Sequence, residues 1–215
     1  LSSHAGKAET RAAMLAQALG AGKLVLMHVV PRLPLEALTN ILERTPLETE
    51  QQLLDAAYAE LKARADRLGA KHGIATGTAV RIGRPHVEIA EEAEALDAGL
   101  VVVGGYGAHL VRELFLGATA EKVLSKSRRP GLVGTQEPLS PYKRLLVPVD
   151  FSPSSARALD WAQAVAGGAE TTVVHVYEAP YESTLRYASV EDKVIEGYQA
   201  AARQQAQDAL RAFLA

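Results

Sequence analysis

The 215-residue sequence contains no cysteine, so disulfides, thiolate nucleophiles and thiolate zinc sites are all excluded. It has no excess of charge of either sign: the net charge is −2 and no basic run stands out, which disfavours nucleic acid or an anionic membrane as the main partner. Long hydrophobic runs are absent too. The stretch Leu24–Val30 is far too short to cross a bilayer. The opening "LSSHAGKAETRAA" has no apolar signal core. These absences lead us to expect a soluble, cytoplasmic protein.

Several chemical signatures are also lacking. No Gly-Lys-Ser/Thr occurs, which removes the Walker P-loop. The dinucleotide fingerprint fails as well, because residues 104 to 109 read "GGYGAH" and lack the last glycine. The PP-loop pattern of Ser-Gly-Gly followed by Asp-Ser is missing. There is no nucleophile elbow, no His/carboxylate metal spacing on one face and no base paired with a nucleophile.

What is present is a packed-core composition, 48% apolar and 22% charged, with an ordered alternation of elements. "KAETRAAMLAQALG" carries apolar residues on one helix face, with Gly20 at the C-cap. "KLVLMHVV" and "LVVVGG" read as buried strands, with "IATGTAVRIG" as another strand between them. Helices fall between them at about 49–69 and at "PHVEIAEEAEALDAG", the latter opened by Pro85. "TAEKVLSKS" is a short helix and "RRPGLVG" an edge strand. After a Pro-rich linker at 135–142, the order resumes with "RLLVPVD", "SSARALDWAQAVAGG", "TTVVHVYEAP" and a final helix over "YQAAARQQAQDALRAFLA". Strands alternating with helices of this length predict a parallel sheet covered by crossover helices.

The second stretch repeats the first. "LAQALGAGKLVLMHVV" (15–30) aligns with "WAQAVAGGAETTVVHVY" (161–177) when one residue is inserted in the later copy, placing Gln17 on Gln163 and His28 on His175. We therefore expect two tandem copies, 1–134 and 143–215. The equivalent of "RLLVPVD" in copy one falls before Leu1, and copy two has no partner for residues 74 to 134. Neither copy looks complete, and the expectation is a longer polypeptide or strands supplied by another chain.

The segment richest in chemistry is "VVVGGYGAHLVRELFLGATAEKV" (101–123). Val103-Gly104 ends a strand, and ligands of doubly wound sheets gather at such ends. Glycines there let backbone N–H groups approach an anion closely. Gly117-Ala118-Thr119 opens a helix whose N-terminus favours negative charge. Glycine turns of this kind also occur for packing alone.

Taken together, "LLVPVDFSPSSARAL", "LVLMHVV" and "GGYGAHLVRELFLGATAEKVLSKSRRP" resemble the universal stress protein family in its tandem form. The resemblance covers nearly the whole chain. It implies a Rossmann-like α/β fold, a five-stranded parallel sheet with helices on both faces, paired with a second such domain within the chain or in a homodimer. Nucleotide-binding members carry Gly, two residues, Gly, nine residues, then Gly followed by Ser or Thr. Here these are Gly104, Gly107 and Gly117, but Ala118 occupies the hydroxyl position, with Thr119 next to it. Losing one hydrogen bond to a charged group costs about 1.5–3 kcal/mol, which weakens binding without abolishing it. The family's adenine-side backbone contacts correspond to Val29 and Val30 in copy one and to Val176 in copy two. Its acidic nucleoside contact corresponds to Asp150, whose other reading is a helix-capping or turn residue.

The resemblance implies ATP or a related adenine nucleotide, with or without Mg, as a regulatory ligand in a stress response. No enzymatic activity beyond slow incidental ATP hydrolysis is expected. A dimerising interaction module that does not bind nucleotide is the alternative. His28 and His175 read as hydrogen-bonded core histidines. Arg112 and Lys122 lie near the loop and read as solvated, as does the "EEAE" face at 91–94.

Overall fold

In the computed structural model, residues 3–31, 46–105, 117–181, 184, 187–188 and 190–215 are described. They divide into two compact units, Leu1–Ser140 and Pro141–Ala215.

Unit 1 begins with helix α1 (Ser3–Ala18), which stops where Gly20 takes a left-handed φ of 62°. The Ala21 N–H then closes back on the Ala16 carbonyl at 2.8 Å, satisfying an otherwise orphaned helix-end acceptor. Strand β1 (Leu24–Val30) follows, then α2 (Pro46–His72) and β2 (Thr76–Ile82). β1 and β2 pair in parallel, from Leu24↔Thr76 to Val30↔Ile82. The β-branched and leucine side chains of β1 suit a pleat buried beneath a helix. Leu26, Leu61 and Ala65 form the core between α2 and this sheet, flanked by Leu24, Leu68 and Val80.

Helix α3 (Pro85–Ala95) leads to β3 (Val101–Gly104), and α4 (Ala118–Lys126) to β4 (Gly131–Gly134). Pro85 sits in the first turn of α3, where its missing N–H has no helical acceptor to lose. β3 and β4 also pair in parallel. The alanine-rich buried face of α1 (Ala8, Ala13, Leu15 and Ala16) packs against β3, β4 and β1. One helix thus covers strands of both pairs. An ion pair from Arg64 to Glu9 at 3.2 Å ties α2 to α1.

Unit 2 comprises β5 (Arg144–Pro148), α5 (Pro153–Val165), β6 (Glu170–Val174) and α6 (Asp192–Leu214). β5 and β6 are parallel, with Pro148 opposite Val174. Val147, Val149, Ala166 and Ile195 are its buried apolar residues.

The fold is thus α/β, with parallel strands and intervening helices. It departs from the expected continuous five-stranded sheet: the described strands form three two-stranded ladders, β1–β2, β3–β4 and β5–β6. β1 and β3 share the cover of α1 rather than a ladder. β6 is shorter than "TTVVHVYEAP" suggested, because its partner ends at Pro148. α6 starts six residues before Tyr198, anchored by the buried Ile195 ahead of Gly197.

Candidate functional site

The carboxyl end of β3 carries Val103 and Gly104, both half-buried. Gly105 extends the ladder by one bond, its N–H donating to the Gly134 carbonyl at 2.9 Å. Gly107 and Arg112 lie outside the described residues. The chain is described again at Gly117, the N-cap of α4, with φ 91° and ψ 135°. That backbone conformation belongs to glycine. Because β3 and β4 are parallel, the crossover through α4 must start from the end of the sheet where β3 finishes. The Gly104 end of β3 and the Gly117 end of α4 therefore face the same way.

The α4 terminus has a simple chemistry. Gly117 offers no side chain to the first-turn N–H groups. Ala118 and Thr119 are exposed. The Gly117 carbonyl accepts from the Glu121 N–H at 2.9 Å, the first bond of the helix. Glu121 brings one carboxylate into this turn. Alongside, the ring of His86 on α3 is held below its ordinary pKa, first by desolvation and then by Lys126, Lys122 and Arg84. Those cations lie close to the His86 ring, and Lys122, read from sequence as solvated, is exposed.

Val29 and Val30 are buried at the end of β1. The Val30 carbonyl already accepts from the Gly83 N–H at 3.1 Å. These two residues stand on the β1–β2 ladder, whereas Val103 and Gly104 stand on β3–β4, so the four share no ladder.

In unit 2, Asp150 and Val176 each lie two residues past the paired positions Pro148 and Val174, which places them at the same end of the sheet. Val176 is 79% exposed. Asp150 is exposed and works as a turn acid: its Oδ1 accepts from the Ser152 N–H at 3.0 Å. Hydrogen bonds from Ser152, then Ser155, hold its carboxyl down at about 2. The N-cap itself is Ser152, whose Oγ accepts from the Ser155 N–H at 3.2 Å. The sequence reading of Asp150 as a capping or turn residue is met as a turn, while the cap, Ser152, was missed although Ser-Pro-Ser-Ser is a legible helix start.

The two repeat-related histidines differ. His28 lies inside the ladder opposite Val80, and burial lowers its pKa. His175 lies just beyond β6, with Nδ1 2.8 Å from the Val149 carbonyl. The acidic face at 91–94 is only partly solvated. Glu92 pairs with Arg81 at 2.6 Å and Glu94 with Arg129 at 3.0 Å, and Arg129 also reaches Asp97. Among the described residues no cluster of three or more His, Asp or Glu is placed to hold a metal, and no helix is long and apolar enough to cross a membrane.

Comparison with known proteins agrees with this architecture. No curated protein matches the chain. A solved universal stress protein from Archaeoglobus fulgidus DSM 4304 is 24% identical, with a TM-score of 0.61 over 92% of this chain and 71% of that one. Another from Archaeoglobus fulgidus is 19% identical, with a TM-score of 0.43 over 62% of this chain and 90% of that one. A universal stress protein solved in complex with cAMP is 21% identical, with a TM-score of 0.42 over 62% of this chain and 89% of that one. The family model described as "Universal stress protein family" matches residues 1–133 and again 141–214. The chain belongs to the universal stress protein family.

Proposed function

We propose that this protein binds ATP or a related adenine nucleotide at the Gly104–Thr119 loop, as a regulatory ligand rather than a substrate for turnover. The observation that carries this reading is the α4 N-terminus. Gly117, at a φ open to glycine, starts a helix whose first-turn N–H groups receive no capping side chain from it. Such a terminus accepts anionic oxygens through backbone donors and the helix dipole. Lys122, one turn into the same helix, adds a positive charge. Phosphates would be held by N–H groups from Gly104 to Thr119. Magnesium, if carried, would arrive with the phosphates.

The tandem arrangement belongs to the same reading. It is supported by the repeat that sets His28 on His175, by the family model's two separate matches and by the two compact units. Paired domains, within one chain or between two in a homodimer, would let nucleotide occupancy bias a partner-binding surface in a cytoplasmic stress response.

A second reading, an interaction module of the same fold without nucleotide, draws on two observations. Ala118 lacks the hydroxyl that would reach a phosphate, and Glu121 puts negative charge into the same turn. Calorimetric titration with Mg-ATP separates the two readings. The first expects a saturable isotherm that Gly107→Val abolishes while the far-UV spectrum is kept. A flat trace for the folded, nucleotide-free protein favours the second.

A further inference from the structure

Where β5 stops, a side chain takes over a place the ladder leaves open. The Val149 N–H donates to the Val174 carbonyl at 2.8 Å, continuing the parallel pattern past Pro148. The next bond in that pattern would bring the Val176 N–H to the Val149 carbonyl. His175 Nδ1 reaches that carbonyl instead, at 2.8 Å. A carbonyl only accepts, so Nδ1 carries the proton. The face of the same imidazole meets Phe151, with ring centroids 4.1 Å apart, and Phe213 closes on Phe151 at 5.7 Å.

Phe151 adopts φ 64°, a left-handed conformation that a bulky aromatic residue disfavours. Its two neighbours are Asp150, bonded to the Ser152 N–H, and Ser152, the cap of α5. Something must hold Phe151 in that state, and the rings of His175 and Phe213 are its aromatic contacts.

We propose that His175 is a positioning residue for Asp150: its Nδ1–H on the Val149 carbonyl and its ring on Phe151 hold the left-handed turn that sets the Asp150 carboxylate over the N-terminus of α5. The inference does not depend on nucleotide binding. It does bear on any ligand that approaches unit 2. Such a ligand meets a carboxylate whose Oδ1 already accepts from the Ser152 N–H.

The test is the titration of the Asp150 carboxyl carbon by NMR on the full chain, with the amides of Ser152 and Ser155 as reporters. In the unaltered protein the midpoint is expected at about 2, against 3.8 for an unconstrained carboxyl. His175→Ala is expected to raise it toward 3.8, with β5–β6 amide shifts retained. His175→Asn keeps a donor without the ring, and His175→Phe keeps a ring without the donor, so both should fall between. In the double variant Phe151→Gly/His175→Ala, glycine takes the left-handed turn unaided, and the midpoint should return toward 2. A midpoint unmoved in His175→Ala overturns the proposal, because the Asp-Phe-Ser-Pro turn would then hold itself. So does a double variant no different from the single one. Should His175→Ala fail to fold, the Asn and Phe variants decide: midpoints above the unaltered protein's sustain the proposal, and unchanged midpoints overturn it.

Discussion

Helices α4 and α5 each come next after a parallel β-strand in the order of elements, yet their N-termini are finished in opposite ways. At α5, Ser152 caps the Ser155 N–H and Asp150 takes the Ser152 N–H, so the chain supplies its own acceptors. At α4, Gly117 supplies none. A helix start satisfied by its own hydroxyl and carboxylate has little to offer an anion. One left to backbone N–H groups is open to a phosphate. The difference locates the nucleotide reading in unit 1 and a self-contained structural turn in unit 2.

That contrast can be broken from either side. The largest effect is expected at Gly117. Gly117→Val forces a β-branched side chain into φ 91°, which should cost about 1–3 kcal/mol in thermal or denaturant unfolding and abolish the Mg-ATP isotherm. Ala118→Ser restores a hydroxyl beside the α4 terminus. It should tighten Mg-ATP binding by about one to two decades, the equivalent of about 1.5–3 kcal/mol, read by the same titration. Ser152→Ala removes the cap of α5 and should lower stability by about 1 kcal/mol while leaving the ATP isotherm unchanged. A change in that isotherm would erase the distinction between the two helix starts. The smallest effect is the acid response of Asp150. Its carboxyl is depressed in the folded state, so its contribution is fully present above 3.8 and fades as pH falls toward about 2. The Ser152 amide shift followed from pH 5 to pH 2 should therefore move only near the lower end.

Much of this was readable in advance, and the failures are instructive. The helix ending near Gly20, the strand at "LVLMHVV" and the Pro85 helix start all carry local signals, periodicity and end residues, that tertiary contacts did not override. What short-range pattern could not supply was pairing. An apolar run such as "LVVVGG" announces burial, but its ladder partner is β4, nearly thirty residues on, and nothing in either run says so. The end of β6 was missed for a related reason. Past Val174 the Val149 carbonyl is taken by the His175 side chain, which is not visible as periodicity in "TTVVHVYEAP".

The candidate site was legible as spacing, Gly104, Gly107 and Gly117, and the described residues add the conformation of one of them. The α5 capping by Ser152 and the left-handed Phe151 were not foreseen. An N-cap serine before proline has a sequence signature, whereas a left-handed phenylalanine has none, and its ring contacts are far away in sequence. The repeat histidines carried a half-signal. Their shared position reflects shared sequence, but only His175 reaches a carbonyl released by a strand end.

The measurement closest to the central claim is an amide NMR titration of the isotope-labelled, nucleotide-free protein with Mg-ATP, resolved by residue. The account predicts saturable shifts concentrated at Gly104, Gly105, Gly117, Ala118 and Thr119, with Ser152 and Ser155 at the α5 start unmoved. Shifts confined to unit 2, or none at all in a folded protein, would contradict it.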